Sequence, residues 1–155
     1  MVKFKTMEKI EDLKLRLLNI LKEKAVVFKE VKLSSGKTSN YYIDGKIITL
    51  SPEGIYIVSK IIFEMIKDEN IDAIGGLTIG ADPIVSGVSL LSFIEKKPIY
   101  AFIVRSYQKD HGMRKLIEGN IQKNWRVAIV DDVVTTGSSL LKSIEAVENY
   151  GANVK

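Results

Sequence analysis

The chain has 155 residues, of which 46% are hydrophobic and 27% charged, and its formal net charge is +4. This length and composition indicate one soluble globular domain, and a sequence with no cysteine and a single histidine excludes disulfides, thiolate metal sites and histidine-rich metal centres. No apolar run approaches the ~20 residues that cross a bilayer, so we expect a cytoplasmic protein whose modest positive charge favours an anionic partner.

The first fifty residues predict one helix followed by short strands. Apolar residues from Ile10 to Leu21 recur on one helical face, which predicts an amphipathic helix over residues 7–24. Residues 25–50 contain short β-prone runs separated by clusters of serine and glycine, and such runs are typical of strands joined by turns.

The rest of the sequence alternates between helices and strands. The predicted elements are a helix that Ser51 caps and that ends near Asn70, a strand over 71–77, a helix capped by Asp82 and Pro83, a strand over 98–104, a basic segment over 105–118, a strand over 125–130, and a last helix that stops at Gly151. This alternation indicates a parallel sheet with helices on both faces. Ligands of such sheets bind at the carboxyl ends of the strands, so the loops 76–82, 105–118 and 131–139 should converge on one site.

The most informative stretch runs from Val127 to Ser139. Four apolar residues lead into Asp131 and Asp132, and a run of threonine, glycine and serine follows. We interpret it as a buried strand and a turn that opens a helix, where backbone N–H groups, the positive end of the helix dipole and hydroxyl donors suit a phosphate. The adjacent carboxylates could bind a ribose diol or a hydrated Mg2+. An ordinary strand–turn–helix is the plain alternative, although turn chemistry alone explains this order of residues poorly.

Three stretches together resemble a known family. Residues 127–139 are similar to the ribose-5-phosphate and diphosphate-binding signature of the type I phosphoribosyltransferases. Residues 34–44 resemble the N-terminal strand–turn–strand of the orotate phosphoribosyltransferase family, and residues 105–112 resemble its mobile catalytic loop. The resemblance implies an α/β fold, the type I phosphoribosyltransferase fold, with a central mostly parallel sheet flanked by helices. It also implies a single domain over 1–155, with a small N-terminal helix and strand hood over 1–50 and a core over 51–155.

The resemblance also implies a reaction. The phosphoribosyl group of PRPP (5-phosphoribosyl 1-diphosphate) would pass to N1 of orotate, giving orotidine 5'-monophosphate and diphosphate in pyrimidine biosynthesis. Mg2+ would be the cofactor, held mainly by PRPP, with Asp131 and Asp132 reaching it through water. Because the loop 105–118 enters the neighbouring subunit's site in this family, a homodimer is implied, with neither a membrane nor a nucleic acid as partner. The implied site residues are Arg105, Lys109, His111 and Asp132 for catalysis, Thr78, Ile79, Gly80, Asp131, Asp132, Val133, Val134, Thr135, Thr136, Gly137, Ser138 and Ser139 for PRPP, and Tyr42, Ile43 and Thr135 for orotate.

The sequence departs from the family pattern at several positions. Thr78 and Ile79 stand where the family often has an aromatic residue and a lysine joined by a cis peptide, so only backbone contacts carry over. Ser34 and Ser106 each replace a lysine of other members. The sequence ends at Lys155 as another strand begins, before the family's last strand and helix and the arginine that binds the orotate carboxylate, so we expect a fragment.

Other interpretations stay open from the sequence alone. The segment 105–118 could be a solvated basic loop, Tyr41 and Tyr42 could serve only packing, and Asp44 could be only a turn residue. The same central motif would serve a phosphoribosyltransferase for another base, or a PRPP-sensing regulator that binds nucleic acid. Residues 35–42 and 109–112 favour the orotate enzyme, and the sequence has no segment like a helix-turn-helix.

Overall fold

The computed structural model describes residues 8–32, 36, 38–106 and 116–155. Its elements in chain order are helix α1 (Ile10–Ile20) with a π-helical continuation (Leu21–Ala25), strands β1 (Val26–Val27), β2 (Val31–Lys32), β3 (Thr38–Ser39) and β4 (Tyr42–Ile43), helices α2 (Gly45–Thr49) and α3 (Pro52–Ile66), strand β5 (Ala73–Leu77), helix α4 (Asp82–Ile94), strands β6 (Tyr100–Val104), β7 (Ile117–Gly119) and β8 (Arg126–Ile129), helix α5 (Ser138–Tyr150) and strand β9 (Asn153–Val154). No helix in these described ranges is long and apolar enough to cross a membrane.

The main sheet has five strands in the order β7-β6-β5-β8-β9. Strand β5 pairs in parallel with β6 and with β8, and β8 pairs in parallel with β9, whereas β7 runs antiparallel to β6. The predicted mostly parallel sheet is therefore confirmed. The chain leaves β5 toward β6 on one side and leaves β8 toward β9 on the other, so the strand order reverses between β5 and β8. Such a switch point opens a crevice at the carboxyl ends of the two strands.

Helices cover both faces of this sheet, as the alternation predicts. One face packs Phe102 and Val127 against Val147 of α5. The other face packs Ile74 against Phe63 of α3 and Val85 of α4. Helix α1 packs on the outer side of α3, where its Leu13 contacts Ile57 and Ile61 of α3. Two apolar faces on each strand explain why the strands are continuous apolar runs in the sequence.

A close approach fixes the centre of the sheet. Gly75 of β5 lies opposite Phe102 of β6 and Ile129 of β8. A Cβ atom at position 75 would overlap the ring of Phe102. The glycine therefore leaves the space that this large buried side chain fills.

The ends of two helices follow the predicted capping residues, and the end of a third does not. The hydroxyl of Ser51 accepts a hydrogen bond from the Gly54 N–H at 3.1 Å, which confirms the cap of α3. Gly151 ends α5 with φ 100°, as predicted. The prediction that Asp82 caps α4 is wrong, because Asp82 is the first residue of that helix and its carboxylate accepts from the Thr78 hydroxyl instead.

The hood strands form two small antiparallel pairs, β1 with β4 and β2 with β3, as the strand–turn–strand pattern predicts. We call these four strands the hood. Two further elements are additions to the prediction. Helix α2 spans only five residues, too few for a periodic signal, and Asp44 is its N-cap rather than only a turn residue. Strand β7 has three residues and begins within the stretch 105–118 that is predicted as a basic loop.

Candidate functional site

Two loops meet at the switch point between β5 and β8. We call residues 78–82 the glycine loop and residues 133–139 the hydroxyl loop. Gly80 faces Asp131 and Asp132, which we call the acid pair, so closely that a Cβ at position 80 would overlap Asp132 Oδ1 and come within 2.6 Å of Asp131 Oδ1. The glycine loop and the residues after β8 therefore converge as predicted.

The third predicted loop is described at its two ends only. The backbone N–H of Arg105 donates to the carbonyl of Leu116 at 2.8 Å, which closes the base of the loop. The hydroxyl of Ser106 donates to the carbonyl of Thr78 at 3.3 Å, so this base lies beside the glycine loop. The guanidinium of Arg105 contacts Glu118 at 3.5 Å. The predicted residues Lys109 and His111 lie outside the described residues.

The acid pair lies in a confined and polar place. The N–H of Asp132 donates to Asp131 Oδ1 at 3.0 Å, and the Asp132 side chain is only 8% exposed. Burial raises the pKa of Asp131, and the neighbouring charge of Asp132 adds to this effect, while the hydrogen bond from the Asp132 N–H opposes it. Two carboxylates so close together need compensating positive charge or hydroxyl donors.

The hydroxyl loop leads into the first turn of α5. Gly137 precedes the helix with φ 79°, a left-handed conformation that glycine adopts without strain. The loop and the start of the helix line a cavity of about 30 Å3, with residues Asp131, Val133, Val134, Thr135, Thr136, Gly137, Ser138, Ser139 and Leu140. The first turn of α5 contains no acidic residue, so no side-chain charge there neutralises the positive end of the helix. This arrangement suits a phosphate monoester.

A larger cleft of about 280 Å3 adjoins this cavity. Its lining residues are Tyr42, Ile43, Lys46, Leu77, Thr78, Gly80, Asp131, Asp132, Val133 and Ser139. The cleft shares Asp131, Val133 and Ser139 with the smaller cavity, so the two spaces are continuous. One ligand can thus contact the helix terminus, the acid pair and the hood at once.

The predicted residues divide between these two spaces. Tyr42 and Ile43 line the cleft, whereas Thr135, predicted for both ligands, lines the smaller cavity. Ile79 is 67% exposed and lines neither space, while Thr78 lines the cleft. The Thr78–Ile79 peptide bond is cis, so the backbone keeps the isomer of the family pattern without its aromatic and lysine side chains. Tyr41 is more than half exposed, so packing in the core does not explain why a tyrosine stands at this position.

Sequence reasoning missed Lys46. Its Nζ lies 3.2 Å from Asp132 Oδ2 and 3.4 Å from Asp44 Oδ1. Partial burial lowers the pKa of Lys46, but the hydrogen bond and charge of Asp132, helped by Asp44, outweigh burial and leave the pKa raised. The Asp44-Gly45-Lys46 sequence could have indicated a helix cap. The contact with Asp132, 86 positions later, leaves no local signal.

The chain is similar to known proteins in both sequence and fold. The family model described as "Phosphoribosyl transferase domain" matches residues 44–155. An orotate phosphoribosyltransferase of Aquifex aeolicus (strain VF5) is 50% identical over 123 residues, which cover 79% of this chain and 67% of that relative. The structure of Mycobacterium tuberculosis H37Rv orotate phosphoribosyltransferase in complex with Fe(III) dicitrate has a TM-score of 0.78 at 35% identity, covering 92% of this chain and 79% of that one. A structure of the same M. tuberculosis protein in complex with PRPP has a TM-score of 0.73 at 33% identity, with 92% and 78% covered. The matched residues include α2, the glycine loop, the acid pair and the hydroxyl loop.

Proposed function

Because the chain belongs to the orotate phosphoribosyltransferase family, we propose that its cleft binds PRPP and orotate and transfers the phosphoribosyl group from the first to N1 of the second. The products are orotidine 5'-monophosphate and diphosphate, so the enzyme is a pentosyltransferase of pyrimidine biosynthesis. One observation carries the proposal: the anion-binding start of α5, the acid pair and the hood residues Tyr42 and Ile43 share one continuous space.

The parts of PRPP match the parts of this space. The hydroxyl loop would hold the 5-phosphate with backbone N–H groups and hydroxyls, each such bond to a charged group contributing roughly 1.5–3 kcal/mol. Asp131 and Asp132 would accept hydrogen bonds from the ribose hydroxyls, which are donors that carboxylates prefer. The backbone of the glycine loop, next to the acid pair, would hold the diphosphate.

The hood would supply the base site. Tyr42 and Ile43 line the cleft, and Tyr42 remains 41% exposed. A planar pyrimidine can lie against such a surface and meet backbone donors and acceptors at its edge. Orotate would then face the ribose carbon that the acid pair positions.

The reaction replaces one bond at ribose C1 by another. The bond to the diphosphate oxygen breaks and its electron pair leaves with the diphosphate, while N1 of orotate, having lost its proton, forms the new bond to C1. Negative charge grows on the diphosphate in the transition state, and preorganised cations stabilise that charge more than they stabilise the ground state. Arg105 would be one of these cations, with Lys109 and His111 completing the set.

The acid pair fits a magnesium ion that the substrate itself holds. Mg2+ takes one or two carboxylates together with substrate phosphates and water, and Asp131 and Asp132 are hard oxygen donors of that kind. The described residues contain no group of three or more histidine, cysteine, aspartate or glutamate side chains that could hold a metal alone. When bound, the ion would neutralise charge on the diphosphate, and Asp131 and Asp132 would help to hold it.

We also propose a homodimer that shares the loop 105–118 between subunits. Leu90, Phe93 and Ile94 lie on one face of α4 at the spacing of adjacent helical turns and are 63–75% exposed. Large apolar side chains grouped in this way are typical of a surface that another chain covers.

The polyanionic substrate cannot enter the apolar core of a bilayer, so the enzyme must share the compartment that makes PRPP, which we propose to be the cytoplasm.

The decisive experiment follows the ultraviolet absorbance of orotate with PRPP and Mg2+ present and then with each omitted. We expect loss of orotate only when both are present, and no loss with Asp132→Asn. Uracil and adenine in place of orotate should not react. Consumption of another base with orotate untouched would transfer the proposal to that base.

A further inference from the structure

Lys46 connects the hood side of the cleft to the acid pair. Among the described residues that line the cleft, it is the only one with a cationic side chain. Its Nζ donates to Asp132 Oδ2 at 3.2 Å. A carboxylate that is only 8% exposed, with a second carboxylate beside it, is destabilised unless a partner compensates its charge.

The backbone around Lys46 places its side chain beside Asp132. Asp44 caps α2 by accepting from the Lys46 N–H at 3.1 Å, and its carboxylate also lies 3.4 Å from Nζ. Gly45 approaches the loop so closely that a Cβ there would lie 3.0 Å from both Asp132 O and Val133 Cγ2. A side chain at position 45 would therefore require α2 or residues 132–133 to shift by a few tenths of an ångström, which would alter the contact between Lys46 and Asp132.

The two oxygens of Asp132 face different neighbours. Oδ2 contacts Lys46, whereas Oδ1 faces Gly80, as Oδ1 of Asp131 does. The oxygen that Lys46 leaves free is thus the one on the side of the glycine loop. That is the side on which a ribose bound between the two loops would present its hydroxyls.

We propose that Lys46 is a positioning residue for PRPP, which holds Asp132 Oδ2 so that Oδ1 is aimed at the ribose hydroxyls and which offsets the repulsion within the acid pair. The inference rests on the proposed function, because it assigns the ribose to the acid pair. Since Lys46 acts through Asp132, its loss should weaken binding of PRPP and leave binding of orotate unchanged.

Calorimetric titration of PRPP with Mg2+, without orotate, tests this directly. Lys46→Met should raise the Kd of PRPP about tenfold, equivalent to about 1.4 kcal/mol, and Lys46→Arg should keep most of the affinity. The matched control is Lys97→Met, which removes a lysine paired with Asp68 at 2.6 Å near the amino end of β6, at the opposite edge of the sheet. This control should bind PRPP like the unmodified chain.

A double-mutant cycle separates positioning from a general loss of structure. In an Asp132→Asn background, Lys46→Met should cause little further loss of PRPP affinity, because its route of action is already removed. A full tenfold loss in that background would overturn the inference. So would an unchanged PRPP Kd in the single variant, whether or not the KM of orotate rises.

The PRPP titrations and the orotate absorbance assay together distinguish this inference from the proposed function. A chain that binds PRPP but leaves orotate unconsumed refutes the assignment of orotate, while a weaker Kd in Lys46→Met still supports the role of Lys46. If orotate is consumed and the unmodified and Lys46→Met chains bind PRPP with equal affinity, the proposed function is supported and the role of Lys46 is refuted.

Discussion

Replacement of Gly80 by alanine should damage the site through a single methyl group. An ordinary van der Waals contact for a Cβ begins at 3.4 Å, so Asp131 Oδ1, at 2.6 Å, would have to recede by the difference of 0.8 Å, and Asp132 Oδ1 by more. Overpacking of this kind destabilises a fold by about 1–3 kcal/mol. At about 2–4 °C per kcal/mol for a chain of this size, Tm should fall by about 2–12 °C.

The effect of Gly80→Ala on activity should exceed its effect on stability. Displacement of substrate-positioning groups by about 1 Å can lower the rate about a hundredfold, so kcat/KM should fall by about one to two orders of magnitude. Differential scanning calorimetry and the orotate absorbance assay measure the two quantities on one sample.

A control variant identifies the carboxylates as the cause. In an Asp131→Ala, Asp132→Ala background the new methyl group no longer meets a carboxylate, so Gly80→Ala should lower Tm by less than half as much as it does in the unmodified chain. An unchanged Tm and kcat/KM in the single variant would refute the close contact. An equal loss of Tm in both backgrounds would show that some other neighbour causes it.

Three further predictions concern the acid pair, the shared loop and the apolar face of α4. Burial raises the pKa of Asp131 above 3.8, so the contribution of this group to stability is fully present below pH 3.8 and is lost as pH rises through the raised pKa. Asp131→Asn should therefore raise Tm at pH 7 relative to the unmodified chain and lose that advantage below pH 3.8, which unfolding scans at both pH values would measure. The same substitution should lower activity in the orotate absorbance assay. Lys109→Ala and Asp132→Asn chains, each nearly inactive alone, should regain about a quarter of the activity when refolded together as an equal mixture, because one hybrid site takes both intact residues; an inactive mixture would contradict loop sharing. Phe93→Glu should weaken the dimer at least tenfold in analytical ultracentrifugation without lowering Tm of the monomer, because this side chain is 75% exposed; unchanged association would show that the dimer uses another face.

Much of this architecture could be predicted because its determinants are local. The Ser51-Pro52 cap, the stop at Gly151 and the apolar run before Asp131 each depend on neighbouring residues, and each produced the expected element. Long apolar runs separated by amphipathic stretches fixed the parallel sheet, since only strands buried on both faces are apolar throughout.

The remaining features depend on contacts that a linear pattern does not contain. Lys46 reaches Asp132 across 86 positions, and Asp82 leaves its expected capping role because folding brings the Thr78 hydroxyl within 2.8 Å. Helix α2 has a cap but is too short to show a period, and β7 exists because β6 offers it a free edge. Tertiary partners decided the cases of Lys46, Asp82 and β7, and the short length of α2 decided the fourth.

The separation of the hood from the main sheet has a consequence for how substrate preference can change. In the described residues, the hood strands pair only with one another, and no strand of the five-stranded main sheet pairs with a hood strand. Substitutions around Tyr42 could therefore reshape the base site while the residues that bind the sugar and the phosphates keep their geometry. The hood would then vary between proteins that share the same main sheet. The ion pair between Lys46 and Asp132 would be the contact that every such change in the hood has to preserve.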